Sequence, residues 1–447
     1  MDLSTLRRPE AAGIVLAMAA FAMLYTLALK SPGIDFWRPW ATSRTAVVDV
    51  YSRAGRERLY QLVVPPPGAK GSTSREHRAA VQAAALDVAF LGYRGIDVVQ
   101  PPLFLSVFRV FSTDNYERDY RWFLAVSLVC FFTAVYVLGR IVGFSVLFAL
   151  VTASALGFVL GAEVSTLDVG NVNNIQLALV VAFLLLQLRS STWADVASGA
   201  VLALGIAFKP NIALLALAIG LTWAGCRLWR KTLTVGAGFA LGALLALGLS
   251  AMLLSSSAWR NWLAVVPELL GSVQPLEYGN IAVSAIILEQ WDFDSSLILI
   301  AVGLVALAAA ALRPLWALHP APADAPAFDR TFLGVASGSA LIMLSSRLVW
   351  EHYVVLAMPA LLLVVRGIMD QGGARSWALA LAITPLSLGC IIVLKFITGT
   401  CVLAANAMNV SLLVLFGWAL GCLWRSGARH KDGTSCRGRS TAIQQPL

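Results

Sequence analysis

Apolar runs recur along this chain from residue 11 to residue 424, many of them near 20 residues long, the length needed to cross a hydrocarbon core roughly 30 Å thick. They predict spans over 11–29, 119–139, 144–162, 173–188, 194–208, 211–226, 232–254, 296–312, 331–346, 353–365, 377–396 and 402–424, about 12 in all, in a range of roughly 11 to 13. The runs 194–208 and 211–226 are short enough to be half-helices. Only 13% of the residues are charged, against about 25% in a soluble domain, so there is too little charge to cover a water-facing surface. The expected class is an all-α, polytopic transmembrane fold. Residues 1–424 form one membrane-embedded domain and 425–447 a basic tail.

The net charge of +9 fits basic cytoplasmic loops better than nucleic-acid binding, because no basic stretch with interleaved aromatics sits in a soluble segment. With the N-terminus in the cytoplasm, the inner segments hold Arg7 and Arg8, Arg140, Arg189, Arg227 with Arg230 and Lys231, Arg313 and Arg330, Arg366 and Arg375, and Arg425 with Arg429 and Lys431. The short outer segments are poor in charge, as the positive-inside rule requires. The first run follows Arg7 and Arg8 without a convincing cleavage site, so it reads as a retained helix with both termini cytoplasmic. The six cysteines show no CxxC pair and no metal spacing. No metal and no cofactor is expected.

Two outer segments are long. In residues 30–100, Thr42–Leu62 and Ser74–Gly92 suit helices on the membrane face, joined by Pro65-Pro66-Pro67-Gly68, with Ser74 as N-cap and Gly92 or Gly95 as stop. In residues 255–295, Trp259-Arg260-Asn261-Trp262 reads as an interfacial aromatic signal.

Ionisable groups near a bilayer are costly and tend to be functional. In the expected topology the notable ones share the outer side: Asp35, Glu163, Asp168, Lys209, Arg347, Glu351 and His352. Moving a sugar from a polyprenyl phosphate to a hydroxyl needs a group to take the acceptor proton and cations for the departing phosphate. Asp35 or His352 suits the first need, Lys209 and Arg347 the second. Each also has a plain reading: Asp35 as a solvated loop acid, Lys209 as a snorkelling side chain, His352 as a structural histidine, Glu163 and Asp168 as helix caps, and Arg347 as a helix-end marker.

Gly33-Ile34-Asp35-Phe36 with Trp40 and Leu59-Tyr60, then Gln100-Pro101-Pro102-Leu103, Gly170-Asn171-Val172-Asn173, the Gly199–Pro210 stretch ending in Lys209-Pro210, and Trp350-Glu351-His352-Tyr353 appear in that order. In order and spacing the chain resembles glycosyltransferase family 87 of the GT-C superfamily. The resemblance implies a polyprenyl-phosphate sugar donor, mostly mannose, and transfer on the extracytoplasmic side of a bacterial plasma membrane. It also implies Asp35 as general base and His352 as its helper in the site. Gln100, Tyr353 and Ser346-Arg347 depart from the family pattern, as does an insertion around Val63–His77.

The expectation is therefore a metal-independent, inverting transferase acting on a glycolipid or cell-envelope polysaccharide among membrane lipids. Asp35 and His352 are its catalytic residues, and Lys209 and Arg347 hold the donor phosphate. Asp168, Asn171, Asn173, Glu351 and Tyr353 are candidate substrate contacts. Arabinofuranose transfer by the same fold is one alternative. A lipid-linked-sugar flippase or transporter is another, for which the Lys209-Pro210 break is the best argument. A non-catalytic assembly subunit is a third.

Overall fold

The computed structural model of the protein describes residues 8–45, 49–65, 74–271, 280–316, 327–346, 348–371, 373–387 and 401–426. No strand occurs among them, only one isolated bridge between Asn280 and Trp350. Helices satisfy their own backbone polar groups, which lipid cannot do. Six described helices are long and apolar enough to cross a membrane: Pro9–Ala28, Tyr116–Ile141, Trp229–Leu253, Ser296–Arg313, Glu351–Gln371 and Val402–Ser426. A bent pair, Val146–Val159 and Gly161–Val169, adds a seventh if it is one span. The chain is an all-helical, multi-pass membrane protein.

The run 331–346 falls on the 19-residue helix Ala327–Ser345, and most of the other described runs form shorter helices. Their shortness has a local cause: they stop at polar turns. Helix α1 is Arg8–Ala28, α2 Ile34–Ser43, α3 Arg53–Val63, α4 Arg75–Leu91, α5 Pro102–Phe111, α6 Tyr116–Ile141, α7 Val146–Val159, α8 Gly161–Val169, α9 Asn173–Gln187 and α10 Thr192–Phe208. Helix α9 begins just past the Gly170 turn, and α10 ends at Lys209. The run expected as one span over 144–162 instead bends by 65° between α7 and α8. As a result Glu163 lies not in a loop but inside α8, fully buried, with Oε1 accepting a 3.0 Å hydrogen bond from Asn174 Nδ2. The second half of the run 377–396 lies outside the described residues.

The first long loop is more helical than its sequence suggests. The Thr42–Leu62 segment holds the end of one helix and most of a second. Helix α2 starts at Ile34, and α3 starts after Ser52, whose Oγ accepts from Gly55 N. The Ser74 cap and Gly92 stop are as expected: Ser74 Oγ accepts from His77 N, and Gly92 is left-handed at φ 70°. Trp262 does not face lipid. It is buried, and its indole donates to the Val99 carbonyl at 3.1 Å.

The described residues form two cores. The larger runs through α6, α9 and the later helices. The smaller seats the first loop: Phe36, Trp37 and Trp40 of α2 pack with Phe108 of α5 and with Tyr116, Tyr120 and Phe123 of α6. Aromatic pairs at such distances hold position beyond simple area burial. Trp40 Nε1 also donates to buried Asp119 Oδ2 at 2.9 Å. Helix α2 is thereby fixed on α6, and its first turn carries Asp35.

Candidate active site

Two glycines bring the first loop against the α8–α9 turn. Gly33 and Gly170 sit at φ 72° and 71°, conformations that glycine adopts at no steric cost. A Cβ on Gly33 would lie 2.4 Å from the Tyr120 ring, and one on Gly170 would lie 2.9 Å from Phe36 Cβ and 3.4 Å from Gly33 Cα. Only bare backbone permits this approach. It carries Asp35 and Asn171, just past those glycines, into contact: Asn171 Nδ2 donates to Asp35 Oδ2 at 2.8 Å.

Lys209 arrives from the break after α10. The following proline disfavours helical geometry at the residue before it. Lys209 is extended, at φ −154° and ψ 110°, and Pro210 opens a short 3-10 turn to Ile212. The Lys209 ammonium donates to Asn171 Oδ1 at 3.0 Å and Asn173 Oδ1 at 2.7 Å, and lies 4.2 Å from the centre of the Tyr353 ring. Burial pushes this amine down to about 7, with Asp35 pulling the other way.

His352 sits in the 3-10 segment Glu351–Ala357. Its backbone carbonyl accepts from Asn173 Nδ2 at 2.7 Å. Its Nε2 is 3.1 Å from Asn171 Nδ2 and 3.8 Å from Asp35 Oδ2. Trp350 stacks parallel to the imidazole, and Tyr353 meets it edge-on.

Two residues that hold Asp35 in place escape a reading of the sequence. Arg38, one turn after Asp35, donates from Nη1 to Asp35 Oδ1 at 2.8 Å, and from Nε and Nη2 to Asp87 Oδ1 at 2.9 and 2.7 Å. Asp87 is fully buried, and its Oδ2 accepts from Asp97 N at 3.0 Å. Burial alone would lower the Arg38 guanidinium, but Asp87 and then Asp35 raise it above its ordinary value. Burial, the larger effect, holds the Asp87 carboxyl above its usual range, with Arg38 pulling the other way through the charge-assisted pair. A faint signal was available: Asp87 follows Ala79 and Ala83 at four-residue steps on the small, buried face of α4.

These groups open on one cavity of about 570 Å³, lined by Asp35, Arg38, Asn171, Lys209, His352 and Tyr353 together with apolar side chains from several elements. The Asp35 side chain is 25% exposed, hence reachable from the cavity. Glu351 also lines it, and Asn173 lies behind the lining, fully buried. Asp168 is not part of it: the side chain is exposed, and its backbone carbonyl accepts the Ser31 hydroxyl. Arg347 lies outside the described residues. No group of three or more metal-ligating side chains occurs among the described residues. The chemistry on offer is a carboxylate held by a guanidinium and an amide, with an amine and an imidazole beside it.

The model of glycosyltransferase family 87 matches residues 99–346, more than half of the chain. The matched stretch contains Asn171 and Lys209, and the fold brings Asp35 and His352 to them from either side of it. No curated protein matches the chain.

Proposed function

This chain belongs to glycosyltransferase family 87 and is a membrane glycosyltransferase with a sugar donor and an acceptor, and on that premise we propose how it works. The donor is a polyprenyl-phosphate sugar, with mannose the leading choice. The acceptor is a hydroxyl of a glycolipid or cell-envelope glycan, on the extracytoplasmic side of a bacterial plasma membrane. Both termini lie in the cytoplasm.

One observation carries the reading. Asp35 and Lys209, far apart in sequence, face one cavity and share the Asn171 amide. In the step, Asp35 takes the proton of the acceptor hydroxyl, and that oxygen forms a bond to the anomeric carbon. The bond from the anomeric carbon to the phosphate oxygen breaks on the opposite face, with inversion, and the phosphate keeps the electron pair. The leaving lipid phosphate gains negative charge. An ammonium already in place is worth most at that moment, because it needs no reorganisation. Lys209 fills this role, with Arg347 as a second cation for the phosphate. Arg38 holds Asp35 in orientation from the side away from Asn171.

The test uses purified protein in vesicles with a panel of labelled polyprenyl-phosphate sugars, mannose and arabinofuranose among them, and membrane glycolipids as acceptors. Transfer of label to an acceptor supports the reading, and the active donor names the sugar. Movement of intact donor across the vesicle with no transfer sinks it in favour of a flippase.

A further inference from the structure

The Asn171 amide meets three partners, and only one orientation satisfies them. Its Oδ1 lies 3.0 Å from Lys209 Nζ, and its Nδ2 lies 2.8 Å from Asp35 Oδ2 and 3.1 Å from His352 Nε2. Turning the amide over would set its oxygen against the Asp35 carboxylate and its NH₂ against the Lys209 amine. Lys209 is itself oriented independently. Asn173 Nδ2 is committed to the His352 carbonyl at 2.7 Å, so Asn173 Oδ1 must accept from Lys209. With the oxygen of Asn171 fixed on Lys209, its two N–H bonds go one to Asp35 and one to His352. An amide N–H needs a lone pair opposite, so Nε2 of His352 carries no proton.

We infer that His352 works as a neutral imidazole, protonated on Nδ1, that holds the Asn171 amide against Asp35; it is a positioning residue and not the proton carrier. The role rests on the reading of Asp35 as base. The surroundings agree. Of the charged groups facing the ring, Asp35 from α2 is 3.8 Å from Nε2 and Lys209 reaches it through Asn171. On its own segment Glu351 and Tyr353 flank it, with the Tyr353 ring edge-on. From α8 and α9, uncharged Thr166 and Asn173 bind only its carbonyl. A proton on Nε2 would break the bond to Asn171 and turn the imidazolium onto Asp35, occupying the base.

The direct test is nitrogen NMR of the histidine-labelled, full-length protein, with the His352 signal assigned by its loss in His352→Gln. A neutral ring protonated on Nδ1 from pH 5 to 8 is the expected result; an imidazolium or an Nε2–H ring in that range overturns the inference. Transfer assays give a second readout. His352→Gln, which retains an acceptor oxygen, should keep kcat within about tenfold of wild type, with an unchanged pH profile. A fall of roughly 10² to 10⁴, the usual loss with a proton carrier, together with loss of a limb from the profile, overturns it. The NMR result does not depend on turnover. A neutral ring in a protein that transfers no sugar therefore leaves the protonation state standing and sinks the proposed function instead.

Discussion

Lys209 makes donor binding depend on pH in a way that can be worked out beforehand. Burial brings the amine down to about 7 from its ordinary 10.5, so near neutrality it is charged only part of the time. A bound phosphodiester reverses this. A unit charge about 4 Å away is worth ~4 kcal/mol at an effective dielectric of about 20, or roughly 3 pKa units. Binding then favours the protonated amine. The sign follows: affinity is highest and flat below about pH 7 and falls as the pH rises above it. The slope approaches tenfold per unit, so that affinity at pH 9 is about 100-fold below its low-pH plateau. The phosphodiester stays singly ionised over this range and adds no slope of its own. The assay is a titration of a short-chain polyprenyl-phosphate sugar into detergent-solubilised protein from pH 6 to 9. Lys209→Met should bind on the order of 100-fold more weakly at pH 6, with no pH dependence. Wild-type affinity that is flat to pH 9, or an equal slope in Lys209→Met, would refute the reasoning.

Asp87→Asn takes the second carboxylate from the partly buried Arg38, which then turns fully onto Asp35; kcat should drop at least about tenfold with donor affinity unchanged, and stability by about 3 kcal/mol, read as kcat, Kd and Tm. Gly33→Ala and Gly92→Ala make a matched pair, since both glycines are left-handed, at φ 72° and 70°. Around Gly92 nothing lies within 4 Å of a new Cβ, whereas at Gly33 the Tyr120 ring lies 2.4 Å away. Gly92→Ala should cost only about 1–2 kcal/mol, while Gly33→Ala should also lose transfer, and equal effects in the two would contradict the close approach drawn here.

The membrane character was legible because a lipid core sets both the length and the composition of each segment. The Ser74 cap, the Gly92 stop and the Lys209-Pro210 break were legible because their signals are local. What stayed hidden was non-local. Helix α2 is only ten residues long and carries a proline at its sixth, Pro39, which speaks against a helix; its order comes from the α6 aromatics it sits on. The bend between α7 and α8 falls at Leu160, inside an apolar stretch with no proline. Arg38 and Asp87 are 49 positions apart, and their pairing is decided by how α4 docks on α2. Asp168 illustrates the converse: two residues before Gly170 it had the same standing as Asn171, but it lies within α8 on the exposed side that also carries Val164. Asp35, Asn171, Lys209 and His352 could be named from motifs, whereas the distances among them come only from the fold.

The measurement closest to the central claim is steady-state transfer by Asp35→Asn, with donor affinity measured on the same preparation. The substituted side chain keeps the shape and can still accept from Arg38, but cannot take a proton. The account predicts kcat lower by at least roughly 10² and a donor Kd within a few-fold of wild type. Turnover at the wild-type rate would show that another group receives the acceptor proton.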